Sequence, residues 1–206
     1  MKQLSWLIPF LLLSLSARAQ NFNAGFVGGL SGTQVDGDGL SGFNKLGLYA
    51  GAFVNREIND RWAWQFELAY SQKGSRRVLK PETLDEGPWL RLQMHYIDVP
   101  LLVIWDFRDN IALEGGLSGN FLLSYSYNDL RNNLLNTNFS RFESAILLGA
   151  RYQLDEHLFV FTRASYSMFS IDPNANFLPF FALLQRGTYN NVITLGLRYQ
   201  LTRAHN

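Results

Sequence analysis

Trp62-Ala63-Trp64-Gln65-Phe66-Glu67-Leu68-Ala69-Tyr70-Ser71 sorts into two sets when read at every second position. One set is Trp, Trp, Phe, Leu, Tyr; the other is Ala, Gln, Glu, Ala, Ser. Successive side chains of a strand point to opposite faces, so a strand gives this segment one apolar face and one small or polar face. A helix would mix the two sets around its circumference. From Trp62 to Tyr70 a strand advances about 26 Å, and a tilt near 40° leaves about 20 Å of height, close to the apolar band of an outer-membrane barrel.

The same alternation recurs over 21–34, 43–55, 92–106, 110–125, 140–153, 157–167 and 188–201, which with 61–73 makes eight strands. The apolar phase carries Phe26 and Leu30, Leu46 and Leu48, Leu101 and Val103, Leu113 and Leu117, Ile146 and Leu148, Leu158 and Val160, and Ile193, Leu195 and Leu197. No mid-strand charge falls on it. The opposite phase holds Glu67, Asp98, Glu114, Glu143, Arg151, Arg163 and Arg198 among many Gly, Ala and Ser. A Lys or Arg facing lipid at mid-bilayer costs about 2–4 kcal/mol, which gives a physical reason for that segregation. A water-soluble barrel would turn the apolar phase inward instead. The expected fold is all-β: an eight-stranded antiparallel up-and-down transmembrane β-barrel.

The chain opens Met1-Lys2-Gln3, continues through the apolar stretch Leu4 to Leu15, and reaches Ala17-Arg18-Ala19. A positive start, a short apolar core and an A-x-A site read as a secretory signal peptide. The apolar run of about 12 residues is short of the roughly 20 that a membrane helix needs. Cleavage after Ala19 is therefore expected, leaving residues 20–206 as one barrel domain. It removes Lys2 and Arg18 and no acid, leaving 16 basic against 17 acidic groups, so nothing recruits nucleic acid electrostatically. Cysteine is absent, which excludes a disulfide framework, a thiol nucleophile and a lipid-modified N-terminal Cys.

The connections alternate in length. Residues 55–60, 106–109 and 153–156 form tight polar links, whereas about 74–91, 126–140 and 167–188 are long. Short periplasmic turns and long outer loops are the expected asymmetry of such barrels, and an even strand count then puts both termini in the periplasm.

With the strands placed, the chain resembles the PorT-family outer-membrane barrel domains of Bacteroidetes over nearly all of its mature length. The resemblance rests on Gly28-Gly29-Leu30-Ser31-Gly32, on Phe66-Glu67-Leu68-Ala69-Tyr70-Ser71-Gln72-Lys73-Gly74, and on Tyr96-Ile97-Asp98-Val99-Pro100-Leu101-Leu102. It implies the fold, the compartment and the phylum, and brings no catalytic residues. In strand 7 similar proteins often show an Arg-Tyr pair, whereas here Ser165-Tyr166 follows Arg163 two positions earlier.

The four acids and three arginines of the inner phase form the candidate lumen charge network: Glu67, Asp98, Glu114, Glu143, Arg151, Arg163 and Arg198. An ion path is one reading. A paired plug is the one to which charges enclosed at low dielectric point, because they need partners and an eight-stranded lumen is filled by side chains. A rim-located enzyme would need His95 beside Ser71 or Ser124, while His157 and His205 lie elsewhere in the chain. Scattered histidines without Cys make no transition-metal set. Asp36-Gly37-Asp38-Gly39 has the Gly and Asp that a plain turn demands and lacks the later ligands of a calcium loop. The last long connection contains Phe177, Phe180, Phe181, Leu183 and Leu184, an apolar set that either contacts a partner or packs over the barrel mouth. Arg76-Arg77 and Lys80 are a solvated charge run or a contact to lipopolysaccharide phosphates.

The expected function is thus an integral outer-membrane barrel with a structural or interaction role, without enzymatic activity and without cofactor or metal. Its expected partners are outer-membrane lipid, the barrel-insertion machinery that reads the apolar row of strand 8, and a protein met by the outer loops. The competing readings are a rim-located lipid- or peptide-modifying enzyme and a soluble lipocalin-like barrel with an apolar lumen.

Overall fold

The computed structural model describes residues 22–36, 42–76, 91–128, 138–172 and 188–201. These hold eight strands: β1 (Phe22–Asp36), β2 (Lys45–Asn59), β3 (Trp62–Arg76), β4 (Arg91–Arg108), β5 (Ile111–Asn128), β6 (Phe142–Gln153), β7 (Leu158–Ser167) and β8 (Tyr189–Gln200). Each strand pairs with its sequence neighbour, and β1 closes on β8, giving a barrel that is antiparallel throughout. The seam runs from Gly25↔Gln200 to Asp36↔Tyr189.

The strands outrun the sequence-based bounds at the tight turns. Segments 55–60 and 106–109 read as polar links, but β2 continues to Asn59 and β4 to Arg108. Pairing resumes at Asn59↔Trp62 and Arg108↔Ile111, with two residues between the partners in each hairpin. Asn59 makes the first turn possible, its side-chain oxygen accepting from the backbone N–H of Arg61 and of Trp62, each at 3.0 Å. At the other end of β5, Leu123 is the extra residue of a bulge, opposite the step from His95 to Tyr96.

Every strand buries alternate residues, and the apolar phase is the exposed one. Leu46 is 70% exposed, Leu68 55% and Leu195 62%, while Glu67 on the opposite phase is 0% exposed. That distribution inverts a water-soluble barrel. Aromatic pairs ring both ends. Near the tight turns, the end that also carries the first and last strand termini, Trp62 stacks on Trp105 at 6.0 Å and Phe22 meets Trp64 edge-on at 5.8 Å. Near the long connections Tyr70 stacks on His95 and Tyr166 on Tyr189. Such rings favour the headgroup level of a bilayer.

The interior is less uniformly polar than the alternation suggests. Val27, Tyr49, Phe53, Ala69 and Phe161 form an apolar cluster inside it. The rings fit because glycine faces them. A Cβ on Gly196 would stand 2.8 Å from Phe161 Cε1, and one on Gly25 would stand 2.7 Å from Phe53 Cε1. Toward the long connections a second cluster, Val35, Leu92, Met94, Tyr96 and Ile171, stops the lumen. Ile171 follows β7 and is held there by its N–H on Thr188 O and by Ser140 N–H on its own carbonyl, each at 2.8 Å.

Candidate functional site in the charged lumen

Position along a strand fixes where each lumenal charge sits, because only alternate residues point inward. Arg163 lies on β7, in register with Gly149 of β6 and Thr194 of β8. It reaches across the interior to β3, where Nη1 donates to Glu67 Oε2 at 2.9 Å and Nη2 to Glu67 Oε1 at 2.8 Å. Its Nε donates to Glu114 Oε1 on β5 at 2.6 Å. Tyr49 O–H donates to Glu67 Oε2 at 2.6 Å, and Gln65 Nε2 to Glu67 Oε1 at 2.5 Å. All three charged members are at most 5% exposed. The fork-to-fork geometry is the one in which an enclosed guanidinium and carboxylate best offset their lost hydration.

Nearer the long connections stands a second cluster, centred on Lys73 of β3. Its Nζ lies 3.3 Å from Asp98 Oδ1 and 3.3 Å from Glu143 Oε2. Glu143 also accepts from Ser167 Oγ at 2.7 Å and from Asn190 Nδ2 at 2.9 Å. The ammonium sits 4.6 Å from the centroid of the Tyr96 ring, a cation–π contact that ties the cluster to the apolar stopper beside it.

A third group lies at the tight-turn end. Arg151 Nη2 donates to Asp106 Oδ1 at 3.1 Å. Arg198 is 2% exposed, with its guanidinium 4.0 Å from the Phe53 ring centroid. Beyond these side chains the barrel opens into a vestibule of about 610 Å³. Between the first two clusters the structure leaves a cavity of about 20 Å³, lined by Ser31, Ser71, Ser118 and Thr194 among others, with room for about one water.

All seven residues singled out in the sequence therefore point into the lumen, but in three groups rather than one. Glu67, Glu114 and Arg163 meet; Asp98 and Glu143 meet through Lys73; Arg151 and Arg198 stand apart. Lys73 was not among the seven. It lies at the last position of the expected strand, yet β3 runs on to Arg76 and Lys73 is 2% exposed. Its parity with Glu67 is the sequence signal that places it inside. Strand 7 keeps its register despite the separated Arg and Tyr, with Arg163 inward and Tyr166 on the outer face.

Of the two serines the catalytic alternative offered, Ser71 faces the lumen and His95 the outer surface, where its Nδ1 shares a 2.5 Å hydrogen bond with Tyr70 O–H, so these two lie on opposite sides of the wall. Ser124 is exposed and stands opposite His95 in the β4–β5 ladder. His157 Nδ1 sits 3.0 Å from Gln200 O in the turn before β7. The lipocalin-like reading required an apolar lumen, and the lumen is ionic. Phe177, Phe180, Phe181, Leu183 and Leu184 lie outside the described residues, as do residues 1–19, Arg77 and Lys80.

The outer membrane protein beta-barrel domain model matches residues 18–172. Among solved structures, the attachment invasion locus protein Ail of Yersinia pestis is 14% identical, with a TM-score of 0.53 over 88% of this chain and 99% of that one. Neisserial surface protein A is 10% identical, with a TM-score of 0.51 over 86% of this chain and 96% of that one. At these identities the likeness is one of fold. No curated protein sequence matches the chain significantly.

Proposed function

The chain belongs to the outer membrane protein beta-barrel domain family, and we propose that within it this barrel is a sealed anchor that works through its long connections rather than through its lumen. The observation that carries this reading is the stack of closures inside the wall. The apolar stopper around Ile171 and Tyr96 lies over the Lys73 cluster, and the Arg163 cluster lies beyond that. An ion crossing would have to separate enclosed pairs in an interior with room for only about one water between the two clusters.

The rest of the proposal follows from that architecture. Residues 1–19 are the export signal and residues 20–206 the barrel domain. The tight turns and both termini face the periplasm, and the long connections face outward. The apolar set Phe177, Phe180, Phe181, Leu183 and Leu184 is the contact surface for a protein partner, a reading supported by how apolar this connection is in sequence. The row Ile193, Leu195, Leu197, Tyr199 and Leu201 is what the insertion machinery reads. The barrel is not an enzyme. The three stretches quoted above support a narrower place among PorT-family barrels of Bacteroidetes.

Planar-bilayer recording of the purified protein tests the sealed lumen: only baseline current is expected, and stable nanosiemens channels would refute it. For the contact surface, replacing residues 177–184 by a Gly-Ser linker should abolish co-purification of a partner from detergent-solubilised outer membranes. Retention of every co-purifying protein would sink that part of the proposal.

A further inference from the structure

Five cations are buried or nearly so inside the barrel. Arg163, Lys73 and Arg151 have carboxylates within ion-pair distance, and Lys45, near the long connections, has none among the described residues. At the tight-turn end Arg198 has none either. Its Nη2 donates to Gln200 Oε1 at 3.3 Å, while Nε and Nη1 are buried without a partner. Arg151 is committed to Asp106 through Nη2 and leaves Nη1 unpartnered. Both guanidiniums lie over the ring of Phe159, at 5.4 Å for Arg151 and 5.2 Å for Arg198. Arg151, Phe159 and Gln200 line the vestibule at the tight-turn end, and Arg198 adjoins it through the last two.

A guanidinium removed from water needs acceptors for its donors, and its planar fork matches a carboxylate. Unused donors from two cations thus lie buried at the inner end of the vestibule, with Arg151 in its lining and Arg198 one side chain deeper. Its rim has the opposite balance, with Glu57, Asp60, Asp109 and Glu156, all exposed, set against Arg61 and Arg108. Such a rim opposes entry of a multiply charged anion and favours an ammonium group. A space of about 610 Å³ lies within the range of small-molecule sites.

We propose that this vestibule binds a small zwitterion, an amino acid or a short peptide, with its carboxylate drawn to Arg151 and Arg198 and its ammonium to the acidic rim. The test uses the full chain folded in detergent micelles and isotope-labelled glycylglycine as the probe, titrated by NMR. Saturable binding is expected, weakened at least tenfold in Arg151→Gln and in Arg198→Gln. N-acetylglycylglycine, which keeps the carboxylate and lacks the ammonium, should bind at least tenfold more weakly than glycylglycine. Heat-modifiable migration on an unboiled gel reports whether each variant is folded. Should Arg198→Gln fail that check, Arg151→Gln decides, because its side chain lies at the edge of the lumen. Absence of saturable binding, unchanged affinity in Arg151→Gln, or equal affinity for the two dipeptides overturns the proposal.

Discussion

Replacing Arg163 by Met takes out the one cation shared by Glu67 and Glu114. In the native barrel that side chain makes ion-pair contacts of 2.8 Å and 2.6 Å to the two carboxylates and a further 3.3 Å bond to Tyr49 O–H. Met keeps the unbranched stem as far as the position of Nε and carries no charge, so the loss reports mainly the two carboxylates left enclosed, with a smaller part from the space the guanidinium head vacates. Breaking a buried pair from one side costs about 3–5 kcal/mol, whereas exposed pairs contribute about 0–1 kcal/mol. The residues are at most 5% exposed, which places this site in the first regime. Arg163→Met should therefore lower the unfolding free energy by about 3–5 kcal/mol in a reversible urea titration in lipid vesicles. Combining it with Glu67→Gln should cost less than the two single losses added, because the second change removes one stranded carboxylate, with a coupling of about 0.5–3 kcal/mol. A loss below about 1 kcal/mol with strict additivity would mean that the lumen is hydrated, and the sealed reading would fall with it.

Two further substitutions probe the two faces of the wall. Leu68→Arg, on an outward position that is 55% exposed, should cost about 2–4 kcal/mol in lipid vesicles and little in a detergent whose headgroups reach the side chain; an unchanged titration in lipid would show that the faces have been assigned backwards. Gly196→Ala, which brings a Cβ to 2.5 Å from the backbone oxygen of Gly28 and 2.8 Å from the Phe161 ring, should cost about 1–3 kcal/mol by overpacking, and a neutral result would show that both the β1 backbone and the ring give way there.

Strand count, pairing order and the outward face were legible because lipid imposes a period on the sequence: one misplaced charge in Leu46, Leu68 or Leu195 would have broken it. The inward phase was harder to read. Glu67 and Arg163 are separated by 96 positions, and nothing local says that they meet rather than Glu67 and Arg198. Their pairing is set by the stagger of strands around the closed wall, which depends on every register and on the bulge at Leu123. Phe53 and Phe161 were hidden for a related reason. Their burial depends on glycines such as Gly25 and Gly196 on neighbouring strands, and a reading of one strand at a time does not see the space those glycines leave. Ile171 belongs to no strand, so no period marks it.

The β1–β8 seam has a kinetic consequence. Its first pair joins Gly25 to Gln200, nearly the full length of the chain, and rewards the folding chain only after a very long loop has closed. Until then the free edges of β1 and β8 expose unpaired amides that hydrocarbon does not tolerate. The wall therefore gains little from being half built inside a bilayer. Docking of β8 on β1 is the event that commits the chain, and up to that moment its survival depends on being kept in water by something else.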